Sequence, residues 1–105
     1  MFSTGVTLRF AFADNKLKKL YTEEKGAHKY PAGVIDTFFD VMAIIANAPD
    51  ERDLYNLKSL HYEKLRGERS HQRSLRLNRQ FRLIIEKVED KHGRFLWIIS
   101  IEDYH

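Results

Sequence analysis

The spacing of apolar residues predicts a strand and two helices in the first half of the chain. Apolar residues alternate with polar or small ones over Thr7–Phe12, which indicates a first strand. Asp14 or Asn15 can cap a helix that runs towards Gly26, and Pro31 suits the first turn of a second helix. Apolar residues recur in that second helix at three- and four-residue steps, which is the pattern of a one-faced helix: Val34, Ile35, Phe38, Phe39, Met42 and Ile45.

After Gly67 the period changes to two, which predicts strands. Alternating runs begin at Ser74 and at Phe81, and a third apolar run covers Phe95–Ile101. The segments 78–80 and 89–93 separate them and carry turn residues, so the three runs form an antiparallel meander. The sequence therefore predicts an α+β fold, in the order strand, two helices and a three-stranded antiparallel meander. We expect residues 1–105 to form a single domain, with both helices on one face of a small twisted sheet.

Alternation also predicts which side chains share a face of the sheet. One set covers the helices: Leu75, Leu77, Phe81, Leu83 and Ile85. Arg76 and Arg82 then point to the opposite, open face, on adjacent strands where they can approach each other. Like charges side by side are unfavourable unless an anion joins them, so the pair indicates an anion site. Solvent screening, or ion pairs with Glu86 or Glu102, would also explain how the two positive charges can lie side by side.

Positive charge is concentrated in one block of the chain. Residues 58–87 hold 9 Lys+Arg against 3 Asp+Glu, a balance of +6, whereas residues 1–57 hold 7 against 8 and residues 88–105 hold 2 against 4. Six of the nine cations are arginine, the side chain suited to bidentate phosphate contacts. The block predicts a nucleic-acid or phosphate partner, and a solvated basic face is the alternative.

Other features narrow the class of protein. There is no cysteine, which excludes a disulfide or a thiolate zinc site and agrees with a reducing cytoplasm. The five histidines are not spaced as metal ligands, so we expect neither a metal nor a cofactor. No apolar stretch approaches the ~20 residues that span a bilayer. We therefore expect a soluble, cytoplasmic protein that does not contact a membrane.

The chain ends in three side chains that can move or hold protons, Asp103, Tyr104 and His105. They directly follow the last predicted strand, which would hold them at the rim of the sheet. Histidine titrates near neutral pH and is the side chain used most often for general acid–base catalysis. Proton-transfer groups beside a basic face are what a metal-independent ribonuclease requires. A frayed tail, or an Asp103 that only pairs with an arginine, would be a purely structural explanation.

Four segments together resemble a known family. They are Glu63–Arg69, the strand Ser74–Asn78, the pair Phe81-Arg82, and the terminal Asp103-Tyr104-His105. In order, spacing and terminal position they resemble the HigB toxins of bacterial toxin–antitoxin pairs, within the RelE/ParE superfamily. The likeness covers most of the chain, and the fold that it implies agrees with the one predicted from the pattern of apolar residues.

The resemblance implies a type II toxin: a ribosome-dependent mRNA endonuclease that inhibits translation and is neutralised by a HigA-like helix-turn-helix antitoxin. Its partners would be that antitoxin, the ribosome and mRNA, with operator DNA reached only through the antitoxin. The implied catalytic residues are His105, Tyr104, Asp103, Arg82 and Arg76. The implied RNA-binding residues are Lys64, Arg66, Arg69, Arg73, Arg79, Glu63 and His61. Some members have a functional histidine at the position of Glu63, so whether Glu63 or His61 acts stays open.

Two other functions are compatible with the same residues. The ParE branch of the superfamily would imply a non-catalytic inhibitor of DNA gyrase, although an inhibitor has no use for a terminal proton-transfer trio. A module that binds RNA or the ribosome without cleaving it is the second. RNA breaks, and their dependence on His105, separate the three.

Overall fold

The predicted helices are present in the structure of the protein, a computed structural model that describes residues 8–103. Helix α1 spans Asn15–Glu23, and the Asp14 carboxylate caps it by accepting a hydrogen bond from the backbone N–H of Lys16 at 2.9 Å. It ends at Glu24, whose φ of +55° breaks the helical path. Helix α2 spans Ala32–Asn47 and begins directly after Pro31, as predicted. A short third helix, α3, spans Arg52–Asn56 and was not predicted.

Five strands form one sheet: β1 (Arg9–Phe12), β2 (Glu63–Lys64), β3 (Gln72–Arg76), β4 (Phe81–Asp90) and β5 (Gly93–Asp103). Their order is β1-β5-β4-β3-β2. The predicted meander β3–β4–β5 is confirmed, and so is the α+β class. Two features lie outside the prediction. Strand β1 pairs in parallel with β5, and the two-residue β2 pairs antiparallel with β3. A two-residue strand is too short to show a period, which is why the pattern missed β2.

The core lies between α2 and one face of the sheet. From α2 it takes Phe38, Met42 and Ile45, which are fully buried. The five sheet residues predicted to face the helices belong to this core or pack against it, so the assignment of faces is confirmed. The pairing of β4 with β5 shifts between Ile84 and Ile85 of β4, whose partners in β5 are Ser100 and Ile98. One extra residue, Ile99, therefore forms a bulge, and strong local twist is its usual consequence.

Arg69 bridges the open face of the sheet. Its guanidinium group donates two hydrogen bonds to the Glu102 carboxylate, at 3.0 and 2.9 Å, and its Nε donates to Gln72 at 2.9 Å. The bridge connects the turn before β3 to β5, across β4. Ile84 points away from the helices at this level and is nevertheless fully buried. The open face is thus partly covered at its centre.

Candidate active site

Arg76 and Arg82 lie directly opposite each other across β3 and β4, as Cα partners in the register. The turn between the strands fixes this pairing, since the Asn78 side chain accepts hydrogen bonds from the backbone N–H groups of Gln80 and Phe81 at 2.8 and 2.7 Å. Both arginines are on the open face, because the next pair, Leu75 and Leu83, is in the core. The predicted approach of the two arginines is therefore observed. Directly opposed like charges destabilise a sheet, and a bound anion would relieve that repulsion.

His61 lies beside Arg76, with its Nε2 atom 3.2 Å from Nη1 of the arginine. A guanidinium group has only donors, so a hydrogen bond between these two nitrogens requires Nε2 to be the acceptor. The backbone of His61 has a φ of +47°, in the left-handed region that few side chains adopt. This conformation follows the helical turn Lys58–Leu60 and directs the chain towards β2.

Glu63 lies beside Arg82, with its Oε1 atom 3.5 Å from Nη1 of the arginine. The same nitrogen donates to the hydroxyl of Ser74 at 3.2 Å. Ser74 is fully buried and pairs with Glu63 in the register, so its hydroxyl helps to fix the position of the Arg82 guanidinium group. Sequence reasoning did not assign Ser74, although its place two residues before Arg76 puts it on the open face. The structure thus brings together two arginines, His61, Glu63 and Ser74.

Two arginines of the basic block lie elsewhere. Arg69 forms the bridge to Glu102, and its guanidinium group is committed to that carboxylate. Arg73 pairs with Ile85 and is therefore on the helix-bearing face. Its side chain is only 15% exposed and its Nε lies 3.5 Å from the Glu51 carboxylate. Each of these two guanidinium groups thus contacts a carboxylate of the protein.

Asp103 ends β5 and pairs with Phe81, which places it on the helix-bearing side of the strand. Its carboxylate accepts a hydrogen bond from the Gln80 side chain at 2.9 Å, so it lies at the same end of the sheet as the arginine pair. Tyr104 and His105 lie outside the described residues. Lys64, Arg66 and Arg79 are exposed, on β2, after it and in the β3–β4 turn. Lys64 pairs with Arg73, which places it on the helix-bearing side of β2, opposite the face of the arginine pair.

Within residues 8–103, no group of three or more acidic or histidine side chains is arranged to hold a metal ion. Over the same range, every helix is too short or too polar to cross a membrane.

Stability should fall as the pH drops below 4.5, in part because of Glu102. Burial raises the pKa of its carboxyl, but hydrogen bonds from Arg69 and Ser100 outweigh burial and lower that pKa from its ordinary value of 4.5. A carboxyl with a depressed folded-state pKa stabilises the protein above the unfolded pKa, and this stabilisation is lost as the pH falls through the folded pKa. Thermal unfolding midpoints measured from pH 7 downwards should decrease below 4.5.

The matched variants for this pH series are Glu102→Gln and Glu68→Gln. Glu68 is an exposed carboxylate next to Arg69, in the turn before β3. The first should reduce the acid dependence of the midpoint and the second should not. Equal acid dependence in the wild type and in Glu102→Gln would contradict this account of the bridge.

The fold is shared with solved structures of low sequence identity. The structure superposes on a YoeB/ParE toxin from Agrobacterium tumefaciens with a TM-score of 0.58 at 11% identity, covering 93% of this chain and 100% of that one. It also superposes on a YoeB dimer from Staphylococcus aureus (TM-score 0.53, 18% identity, 93% and 97% covered). A YoeB–YefM complex from the same organism gives a TM-score of 0.51 at 17% identity, with 93% and 97% covered. At these identities the likeness establishes the fold.

The family follows from the sequence itself. Residues 10–96 match the model of the HigB-like toxins, described as RelE-like toxins of the type II toxin–antitoxin system HigB. No curated protein matches the chain in sequence. Because the matched range covers most of the chain, this protein belongs to the HigB-like family of RelE-like type II toxins, and the resemblance drawn from its segments is confirmed.

Proposed function

We propose that this toxin is a ribosome-dependent endoribonuclease that cleaves mRNA and is neutralised by a HigA-like helix-turn-helix antitoxin. The observation that carries the proposal is the directly opposed Arg76–Arg82 pair, with His61 and Glu63 in contact with the two guanidinium groups. An RNA phosphate is the anion that this pair of cations would bind. Membership of a RelE-like toxin family, whose members are generally endoribonucleases, supports a nuclease over a pure binding module.

The reaction needs no nucleophile from the protein. The 2′ oxygen of the RNA loses its proton and forms a bond to the adjacent phosphorus, while the bond from phosphorus to the 5′ oxygen breaks and that oxygen gains a proton. The protein must therefore accept one proton, supply another and stabilise the extra negative charge on the phosphorane-like transition state. Cations fixed before the reaction begins can supply a large part of this stabilisation.

We assign these tasks to two groups of residues. Arg76 and Arg82 stabilise the transition-state charge, and the phosphate displaces Glu63 from Arg82. The Glu63 carboxylate is 62% exposed, so this ion pair is easily exchanged. His105 acts as general acid or base, Asp103 orients it or shares the role, and Tyr104 stacks on a base or donates to the phosphate. The exposed Lys64, Arg66 and Arg79 bind the RNA backbone around the site.

The ribosome is expected to position the message. Within residues 8–103, His61 is the histidine in contact with the arginine pair, and we expect an outside scaffold to hold the 2′ hydroxyl in line with the leaving oxygen. Purified toxin should therefore cleave an mRNA that is bound to ribosomes and leave the same mRNA intact when ribosomes are omitted. Strong cleavage of naked RNA at nanomolar toxin would contradict ribosome dependence. Inhibition of DNA gyrase without RNA breaks would replace the proposal with the ParE-like function.

A further inference from the structure

Glu51 connects four parts of the protein on the side of the sheet that bears the helices. It immediately precedes α3, and its carboxylate is only 13% exposed. It accepts hydrogen bonds from the Tyr62 hydroxyl at 2.7 Å and from Lys87 of β4 at 3.0 Å, and Nε of Arg73 of β3 lies at 3.5 Å. Burial raises the pKa of the Glu51 carboxyl, but these partners outweigh burial and lower it, so the group stays ionised.

Tyr62 is the residue between the two side chains that touch the arginine pair. Its ring is buried and packs edge-on against Tyr55, with 4.6 Å between the ring centroids. Burial, and then the hydrogen bond to Glu51, raise the pKa of its hydroxyl, so this group remains a donor. Because neighbouring residues of an extended segment point to opposite sides, the buried Tyr62 directs Glu63 to the open face, while His61 enters the segment from its left-handed conformation.

Apart from the packing of the Tyr62 ring in the core, short backbone pairing holds this segment. Strand β2 consists of two residues, and two register pairs connect it to β3. His61 precedes it in a left-handed conformation, with a backbone N–H that donates to Lys58 at 3.1 Å. Such a short edge segment can shift or twist unless a side chain fixes it. The contact from Tyr62 to Glu51 is the hydrogen bond that fixes the side chain at the centre of the segment.

We propose that Tyr62 and Glu51 are positioning residues for the cleavage site. The hydrogen bond between them holds the 61–63 segment so that His61 contacts Arg76 and Glu63 contacts Arg82, which orients both guanidinium groups before RNA binds. The proposal deepens the function proposed above and rests on it for the catalytic consequence. The structural part of the proposal does not depend on the nuclease function: removing the hydrogen bond should break the contact between His61 and Arg76.

The test compares Tyr62→Phe, which removes only the hydroxyl, with Tyr55→Phe, which removes the hydroxyl of its exposed ring partner. Ring ¹⁵N chemical shifts of His61 should report a proton on Nδ1 in the wild type and in Tyr55→Phe. In Tyr62→Phe they should change to the tautomer mixture of a free imidazole. The rate of mRNA cleavage on ribosomes at saturating toxin should fall about 10- to 100-fold in Tyr62→Phe, the loss expected when reacting groups are misplaced by about 1 Å.

Two further variants separate positioning from general loss of stability. Lys87→Met weakens the same charge network but keeps the hydrogen bond from Tyr62, so the His61 signals should stay those of the wild type. Glu51→Asp keeps the charge but withdraws the carboxylate by one methylene, so it should change the His61 signals as Tyr62→Phe does. If circular dichroism shows that Tyr62→Phe does not fold, the His61 signals of Glu51→Asp alone decide whether the hydrogen bond positions His61.

The two proposals fail in different ways. Wild-type His61 signals in both Tyr62→Phe and Glu51→Asp would overturn the positioning role, whatever the cleavage results. A wild-type protein that cuts no RNA on ribosomes would overturn the nuclease, while the His61 signals would still decide whether the hydrogen bond fixes the segment. Changed signals with an unchanged cleavage rate would exclude a contribution of this hydrogen bond to catalysis and so overturn the catalytic half of the proposal.

Discussion

Replacing Arg82 with alanine should lower the rate of mRNA cleavage about 100- to 1000-fold, the usual cost of removing one preorganised group that stabilises transition-state charge. The guanidinium group of Arg82 contacts both Ser74 and Glu63, and its side chain is 21% exposed, so it is held in place before RNA binds. Arg82→Lys keeps the charge but loses the planar, bidentate donor set, so we expect only partial recovery. Single-turnover cleavage on purified ribosome–mRNA complexes measures the effect.

The control for Arg82→Ala is Arg94→Ala, which makes the same change of charge on an exposed side chain near the other end of the sheet. Its cleavage rate should match that of the wild type. If both variants lose activity equally, the loss reflects net charge and not a site at Arg82. If Arg82→Ala retains the wild-type rate while it remains folded, the role of the arginine pair in catalysis is wrong.

Replacing His105 with alanine should lower the cleavage rate about 10²- to 10⁴-fold, the range that one general acid or base contributes. The wild-type rate should change with pH near neutrality, where histidine titrates, and that change should be lost in His105→Ala. The measurement is a single-turnover pH–rate profile. His92→Ala is the matched control, because His92 lies in the exposed β4–β5 turn.

Two results would contradict the assignment of His105. The first is a pH–rate profile of His105→Ala that is shifted down but otherwise keeps the wild-type shape. In that case another group titrates and the terminal histidine contributes only binding. The second is equal loss of activity in His92→Ala, which would indicate a general effect of removing histidine.

The sequence predicted the helices and the arginine pair because strong local signals determine both. Helix α2 has a continuous apolar face, and Pro31 marks its start. The pairing of Arg76 with Arg82 needs only an alternating pattern on two strands and a tight turn between them, and Asn78 supplies the turn. Both features depend on residues that are close together in the chain.

The rest of the site depends on contacts that no local pattern shows. His61 contacts Arg76 from a backbone with a positive φ, and nothing near it in the sequence requires that conformation. Glu51 is in contact with Tyr62 and Lys87, which are 11 and 36 residues away along the chain. The parallel pairing of β1 with β5 is likewise determined by how the whole sheet packs.

Arg73 could have been separated from the other arginines by the pattern alone. It lies an even number of residues from Leu75, a predicted core position, and an odd number from Arg76. Alternation therefore puts it on the helix-bearing face, where the structure has it next to Glu51. Treating residues 58–87 as one basic block concealed this difference.

Primer extension on cellular mRNA, after brief induction of the wild type and of His105→Ala, tests ribosome-dependent cleavage most directly. We expect new 5′ ends within translated regions in the wild type, and none above background in the variant. Growth arrest without such ends in the wild type would contradict the nuclease function and favour gyrase inhibition or binding alone. Ends that persist undiminished in His105→Ala would keep the nuclease but exclude its terminal histidine from the chemistry.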